Sequence, residues 1–318
     1  YIDQLDLKGK RVFIRADLNV PYNEKNEVAV DNRIKASLPT INYALQSGAA
    51  VVLASHLGRP KGKRDEKYSL QPVAKRLRQL ISNDVLMAND CIGAQVEEQA
   101  KSLKPGQVLL LENVRFYSEE ENNDAEFAKK LGALADIYVN DAFATAHRAH
   151  ASTAAITNFM SEKAGGFTLK NELDYFAKAM TNPKRPLVTI FGGSKVSTKM
   201  QAIRNVGKTA NKIINGRAMA YTCFGADGLN VGKSPYEPEE VANAATKKKE
   251  LHASGCELVL PVDVVVAEKL EAGVPVKVVP INQIGDNEMA LDVGPKTVQL
   301  IAEKIKDAGT IVWNGPVG

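Results

Sequence analysis

The sequence predicts an α/β protein of two domains with parallel sheets, joined by a connecting helix. Three observations carry this. Apolar runs of strand length alternate with helix-period segments from end to end. Several of those runs end on charged or amide residues, as strands do when their carboxyl ends face a common crevice. The alternation is interrupted once, after Gly165-Gly166, by a single helix-period stretch. The expected division is residues 1–164, a connector over 165–182, and a second domain over 183–318.

In the first half the expected strands are Arg11–Ala16, Ala49–Ala54, Gln107–Leu111 and Ala135–Val139. The expected helices are Asn32–Gln46, Gln71–Ile81, Gly93–Ser102 and Asp124–Leu134. Pro72 suits a first helical turn, with Ser69 or Gln71 near the cap. Gly48 and Gly106 punctuate helix-to-strand joins. In the connector, Leu169, Leu173, Phe176, Ala177 and Met180 fall on one helical face. Asn182-Pro183 stops that helix. Beyond it the expected strands are Pro186–Phe191, Asn211–Ile214, Glu257–Leu260, Val276–Pro280 and Thr310–Trp313. Helices are expected over Glu237–His252 and Pro295–Asp307. There are no repeats and no low-complexity segments.

Bulk numbers narrow the partners. The 318 residues suffice for two ordinary domains. With 41 basic against 37 acidic side chains the net charge is only +4. That balance makes no case for a nucleic-acid or membrane partner, so any basic site is local. Lys247, Lys248 and Lys249 fit a solvated helix face. The three cysteines, Cys91, Cys223 and Cys256, are scattered and show no C-x-x-C spacing. That argues against a disulfide framework or a zinc site. No run approaches a membrane span and residues 1–20 carry no signal-peptide pattern, so the cytoplasm is the expected compartment.

The densest chemistry is the run N-D-A-F-A-T-A-H-R-A-H, Asn140–His150, directly after a strand. Three other strand ends match it. Arg11–Ala16 leads to Asp17 and Asn19, Ala49–Ala54 to His56 and Arg59, and Gln107–Leu111 to Asn113 and Arg115. Together with Arg33 these ends form one basic pocket for a small anion. Arginine forks suit carboxylate and phosphate, so Arg33, Arg59, Arg115 and Arg148 would bind a compact polyanion. His56 and His147 would add donors, and Asp17 and Asn19 would accept from a hydroxyl. Each residue alone has a bland reading as a surface group or turn cap. Repetition at several strand ends is what favours a site. His147-x-x-His150 also permits a metal, but no cysteine cluster accompanies it and anion binding is preferred.

A second motif is Phe191-Gly-Gly-Ser-Lys-Val-Ser-Thr-Lys199. A strand runs into paired glycines and then a helix start, where backbone N–H groups and the helix dipole favour phosphate. Lys195 and Lys199, four apart, share a helical face. The plain alternative is a tight turn with solvated lysines. Gly228–Ser234 resembles a phosphate loop but is one residue short between its glycines, no strand leads directly into it and Pro235 follows, so it is rejected. No G-x-G-x-x-G fingerprint supports a dinucleotide oxidoreductase. A binding protein for phosphorylated metabolites stays open. The two halves together suggest two anionic substrates brought into line. Transfer between such groups needs no general base, only positioning and charge neutralisation. Arg33 and Lys199 are the candidates for that role.

The segments R-A-D-L-N-V-P (Arg15–Pro21), D-N-R-I-K (Asp31–Lys35), S-H-L-G-R-P (Ser55–Pro60), L-E-N-V-R-F (Leu111–Phe116), A-H-R-A-H (Ala146–His150), G-G-S-K-V-S-T-K (Gly192–Lys199), L-P-V-D (Leu260–Asp263) and V-W-N-G-P-V-G (Val312–Gly318) resemble the phosphoglycerate kinase family. They occur in order along the whole chain. The resemblance implies reversible transfer of the acyl phosphate of 1,3-bisphosphoglycerate to magnesium-ADP. It implies 3-phosphoglycerate contacts at Asp17, Asn19, Arg33, His56, Leu57, Gly58, Arg59, Arg115, His147 and Arg148. It gives the nucleotide Gly193, Lys195, Lys199, Gly216, Asn314, Pro316 and Val317, with Arg33, Lys195 and Lys199 catalytic. It further implies Mg2+ carried with ATP or ADP, two Rossmann-like, three-layer domains closing about a hinge, and a cytosolic monomer. No metal ligand is expected within the residues given. Two departures stand out. Arg217 occupies a turn that the family builds from glycines. The family also continues past Gly318 with a glutamate, a glycine-rich phosphate loop bearing a magnesium-linked aspartate, and a tail on the first domain. The second domain is therefore expected to be incomplete at its C-terminal end. Were the molecule to stop at Gly318, turnover would be weak or absent and the second domain poorly stable, because its sheet would expose apolar edges.

Overall fold

The structure is a computed structural model that describes residues 1–193, 203 and 205–318. The chain forms two compact units, Tyr1–Asp174 and Tyr175–Gly318.

In the first unit six strands make one sheet: β1 (Arg11–Ala16), β2 (Ala50–Ala54), β3 (Val85–Met87), β4 (Val108–Leu110), β5 (Ile137–Asp141) and β6 (Glu162–Gly165). Their order is β3-β4-β2-β1-β5-β6, and every pairing is parallel. The run R-V-F-I-R-A forms β1 because alternate side chains have apolar partners on both faces. Val12 and Ile14 join one buried cluster, and Phe13 joins the other. β2 divides likewise, Val51 and Leu53 from Val52 and Ala54. Each fully buried Val, Leu, Ile or Phe side chain among these contributes about 1.5–3 kcal/mol.

The crossover helices are α1 (Asn32–Gln46), α2 (Gln71–Leu80), α3 (Ala94–Ser102), the single turn α4 (Ser118–Glu121) and α5 (Ala125–Gly132). Pro72 stands in the first turn of α2. Asp124 caps α5 by accepting from the Phe127 N–H at 2.8 Å. From β1 the chain goes to β2 on one side, and only β5 and β6 lie on the other. The carboxyl ends of β1 and β5 therefore flank the topological switch point, where ligands of open α/β sheets bind.

α6 (Phe167–Thr181) starts against this sheet end. Asp141, the last residue of β5, accepts from Thr168 N at 2.8 Å and from Thr168 Oγ1 at 3.1 Å. Thr40 Oγ1 accepts from Phe167 N at 2.9 Å. A Cβ at Gly166 would run into the Asp141 carboxylate, which is why a glycine precedes the helix. Burial pushes the Asp141 carboxyl up to about 6. The apolar residues of α6 are not buried: Leu173 and Phe176 are 41% and 56% exposed.

The second unit holds two sheets. β7 (Leu187–Phe191), β8 (Lys212–Asn215), β9 (Glu257–Val259) and β13 (Thr310–Asn314) form a parallel sheet ordered β13-β7-β8-β9. β10 (Asp263–Ala267), β11 (Lys277–Pro280) and β12 (Met289–Val293) form a three-stranded sheet ordered β11-β10-β12, and it is antiparallel. The segment Val276–Pro280, expected in a parallel sheet, belongs to this one. The reason is connection length: nine residues separate β10 from β11, too few for a helical crossover. The expected helix Glu237–His252 begins later, at Val241, after a 3₁₀ turn over Pro238–Glu240. Asp263 of L-P-V-D is structural: it accepts from Thr297 N at 2.7 Å and Lys296 N at 3.1 Å, capping the helix Pro295–Ile305. Gly228–Ser234 follows the helix Arg217–Ala226 and leads to a 3₁₀ turn, so it lacks the strand–loop–helix frame of a phosphate loop. The three cysteines are buried and free.

Candidate active site

The carboxyl ends of β1, β2, β4 and β5 surround a cavity of about 240 Å³. Its lining includes Asp17, Asn19, Arg33, His56, Gly58, Arg59, Arg115 and Arg148, with Glu121, Ala144 and Thr145. Four arginines distant in sequence thus face one space. Leu57 is buried at 4% exposure and His147 is exposed; neither lines the cavity.

Each lining group is placed by its strand end. Asp17 accepts from Arg33 Nη1 at 2.7 Å and from Asn19 N at 3.2 Å. Asn19 Oδ1 accepts from Gly58 N at 2.9 Å, tying the β1 end to the β2 end. Gly58 has φ +60° and a Cβ there would strike the Tyr68 ring. Asn113 is the bracket between β2 and β4. Its Oδ1 accepts from Leu57 N at 3.2 Å and Arg115 N at 3.1 Å, and its Nδ2 donates to Leu57 O at 2.8 Å. Arg115 is 6% exposed and donates from Nη1 to Gly58 O at 3.0 Å.

Beneath the cavity lies a buried polar layer that sequence reasoning did not assign. Arg15 is fully buried. It donates from Nε to Ser152 Oγ at 2.7 Å, from Nη1 to Ala16 O at 2.6 Å and from Nη2 to His56 Nδ1 at 3.3 Å. Glu120, also fully buried, accepts from Ser152 Oγ at 2.6 Å and Ser152 N at 2.9 Å. It stands 3.9 Å from Arg15 Nη2 and 3.9 Å from His150 Nδ1. The signal in the sequence was Arg15 itself, a charge inside an apolar strand, which demands buried partners. No local pattern names Glu120 or Ser152 as those partners.

This layer fixes the state of His56. A guanidinium only donates, so Nδ1 must accept and the ring proton sits on Nε2. Burial, then Arg15, Arg115 and Arg33, holds the His56 pKa down at about 2. The sign follows: above that value the ring is neutral, so it gains no charge anywhere between pH 5 and 8. Ring ¹⁵N chemical shifts of His56 are expected to stay flat over that range. A titration midpoint near 6.5 would contradict the assignment.

In the second unit the carboxyl ends of three adjacent strands converge. Gly193, with φ +111°, follows β7; Gly216 follows β8; Asn314 ends β13 before Gly315, Pro316 and Val317. Asn314 O accepts from Gly192 N at 3.0 Å, and Val317 O accepts from Arg217 N at 3.2 Å. A Cβ at Gly192 would run into Pro316 O and one at Gly216 into Val317 O, so the turn 315–317 lies directly on the two glycine ends. Arg217 has φ +48°, the left-handed region that glycine favours. Lys195 and Lys199 lie outside the described residues. Among the described residues no group of three or more His, Cys, Asp or Glu is placed to hold a metal ion. No helix among them is long and apolar enough to cross a membrane.

Parallel α/β units, one with a basic cavity at a switch point and the other with glycine-lined strand ends, define a phosphoryl-handling enzyme architecture. The family model described as phosphoglycerate kinase matches residues 2–318. A phosphoglycerate kinase of Geobacter metallireducens is 52% identical over 319 residues, covering 100% of this chain and 80% of the relative. The cytosolic phosphoglycerate kinase of Triticum aestivum is 50% identical, covering 100% of this chain and 79% of its own length. The solved phosphoglycerate kinase of Coxiella burnetii superposes with a TM-score of 0.79 at 40% identity, covering 99% of this chain and 79% of that one. The chain belongs to the phosphoglycerate kinase family.

Proposed function

We propose that the chain catalyses reversible transfer of the acyl phosphate of 1,3-bisphosphoglycerate to magnesium-ADP, giving 3-phosphoglycerate and ATP in glycolysis. The observation that carries the site reading is the single cavity shared by Arg33, Arg59, Arg115 and Arg148 with His56, Asp17 and Asn19. A triose phosphate acid has two anionic ends and one hydroxyl. The arginines suit the anionic ends, and Asp17 and Asn19 suit the hydroxyl. His56, neutral with its proton on Nε2, adds a donor without further charge.

The nucleotide phosphates are assigned to Gly193, Lys195, Lys199, Gly216 and the Asn314–Val317 turn. Mg2+ enters as part of the nucleotide substrate and shields its phosphate oxygens. Both reacting oxygens are already anionic, so no side chain need remove a proton. Arg33 and Lys199 are assigned to the charge on the phosphoryl group in flight, with Lys195 beside it. The residues 165–182 are read as the connector, since the two compact units divide within α6. The chain is read as a cytoplasmic monomer; the wheat relative's cytosolic name supports the compartment.

The test is a coupled assay supplying 3-phosphoglycerate and magnesium-ATP. ADP formation that requires both substrates is the expected result. Binding of both without phosphoryl transfer would favour a metabolite-binding protein and overturn the enzyme reading.

A further inference from the structure

We propose that Glu121 is a built-in competitor for the cavity's ligand: a carboxylate that sits beside Arg115 until an incoming phosphate or carboxylate displaces it, and that thereby weakens substrate affinity. This rests on the reading of the cavity as the 3-phosphoglycerate site.

Glu121 is the last residue of α4 and lines the cavity. Its Oε1 stands 3.4 Å from Arg115 Nε. A settled charge-assisted N–H···O⁻ bond is shorter, about 2.7–2.9 Å. Arg115 Nε has no hydrogen-bond partner, although it is buried. The guanidinium is therefore anchored on one edge, through Nη1 to Gly58 O at 3.0 Å, and under-satisfied on the other. The pair is also unequal in exposure. The Arg115 side chain is 7% exposed, whereas that of Glu121 is 46% exposed and already borders solvent.

The cavity lining contains one other carboxylate, Asp17, and it is firmly engaged. It accepts from Arg33 at 2.7 Å and from the Asn19 N–H. Glu121 has no such hold on Arg115. Around it the fixed charges are Arg15, Arg115 and Arg148 against the one buried carboxylate of Glu120, and the excess of cations favours a further nearby anion. In the empty cavity Glu121 supplies part of that negative charge. When a phosphate or carboxylate enters, it takes the unsatisfied Nε–H and repels Glu121 across the same small space. Binding is weaker by the work of that replacement.

A merely supporting role for Glu121 predicts the opposite sign, because losing a group that aims Arg115 would loosen the ligand. The experiment is calorimetric titration of 3-phosphoglycerate into wild type, Glu121→Gln and Glu121→Asp at low ionic strength, with kcat/KM alongside. Glu121→Gln keeps the shape and removes the charge, and is expected to bind on the order of ten-fold tighter. Its advantage should shrink in high salt. Glu121→Asp keeps the charge and is expected to stay close to wild type. Equal or weaker binding by Glu121→Gln, with wild type binding normally, overturns this inference alone. Failure of wild type to bind 3-phosphoglycerate overturns the site reading and this inference with it.

Discussion

Arg33→Ala is expected to lower kcat by about two to three orders of magnitude while leaving the fold intact, the loss typical of removing one donor aimed at transition-state charge. The helix around it explains why function and stability separate here. Arg33 is in the first turn of α1, where the helix dipole disfavours a cation. Its side chain is 51% exposed and pairs with Asp17. The real anchor of that helix start is Asp31, which accepts from Arg76 Nε at 3.0 Å and Nη2 at 2.7 Å and pairs with Lys35 at 3.0 Å. Removing Arg33 should therefore change stability by less than about 0.5 kcal/mol. The checks are kcat in the coupled assay and the urea midpoint of the same preparation. A loss of activity below tenfold would take Arg33 off the catalytic assignment.

Glu120→Ala is expected to destabilise the first unit by about 3–5 kcal/mol, the range for removing one partner of a buried charged pair. Glu120 and Arg15 are both fully buried, and Ser152 lies between them, donating to Glu120 at 2.6 Å and accepting from Arg15 at 2.7 Å. Without the carboxylate, the Arg15 charge loses its buried counter-charge and Ser152 loses both acceptors. Ser152→Ala should cost less, about 1–3 kcal/mol, because the two charges remain. The consequence reaches the cavity, since Arg15 also holds His56 Nδ1. Urea denaturation read by near-ultraviolet circular dichroism measures both variants. A cost under about 1 kcal/mol for Glu120→Ala would show that the buried layer does not act as one network.

How far the chain could be read in advance depended on where each residue's partners lie. The central strands β1, β2 and β5 are visible because Val, Ile, Leu and Phe fill both faces of a covered sheet. β6, with the sequence E-K-A-G, has no apolar run at all, and only its pairing with β5 makes it a strand. β10 and β12 are short, and local periodicity does not tell parallel from antiparallel neighbours. The site follows the same rule. Asp17, His56, Arg59, Arg115 and Arg148 stand in the segments that follow strand ends, so the sheet topology brings them to one side. The layer below was hidden: Arg15 and Ser152 are 137 residues apart. Glu121 was hidden for a different reason, since a third consecutive glutamate on a surface turn looks like plain solvation.

The account depends on the basic cavity gripping a three-carbon phosphate acid, and titration calorimetry with 3-phosphoglycerate on Arg59→Ala and Arg148→Ala tests it most directly. Both side chains are exposed, so neither change threatens the fold. The expected result is one-to-one binding by wild type that weakens in salt, and a loss of about ten-fold or more in affinity for each variant. Unchanged affinity in both variants would contradict the account.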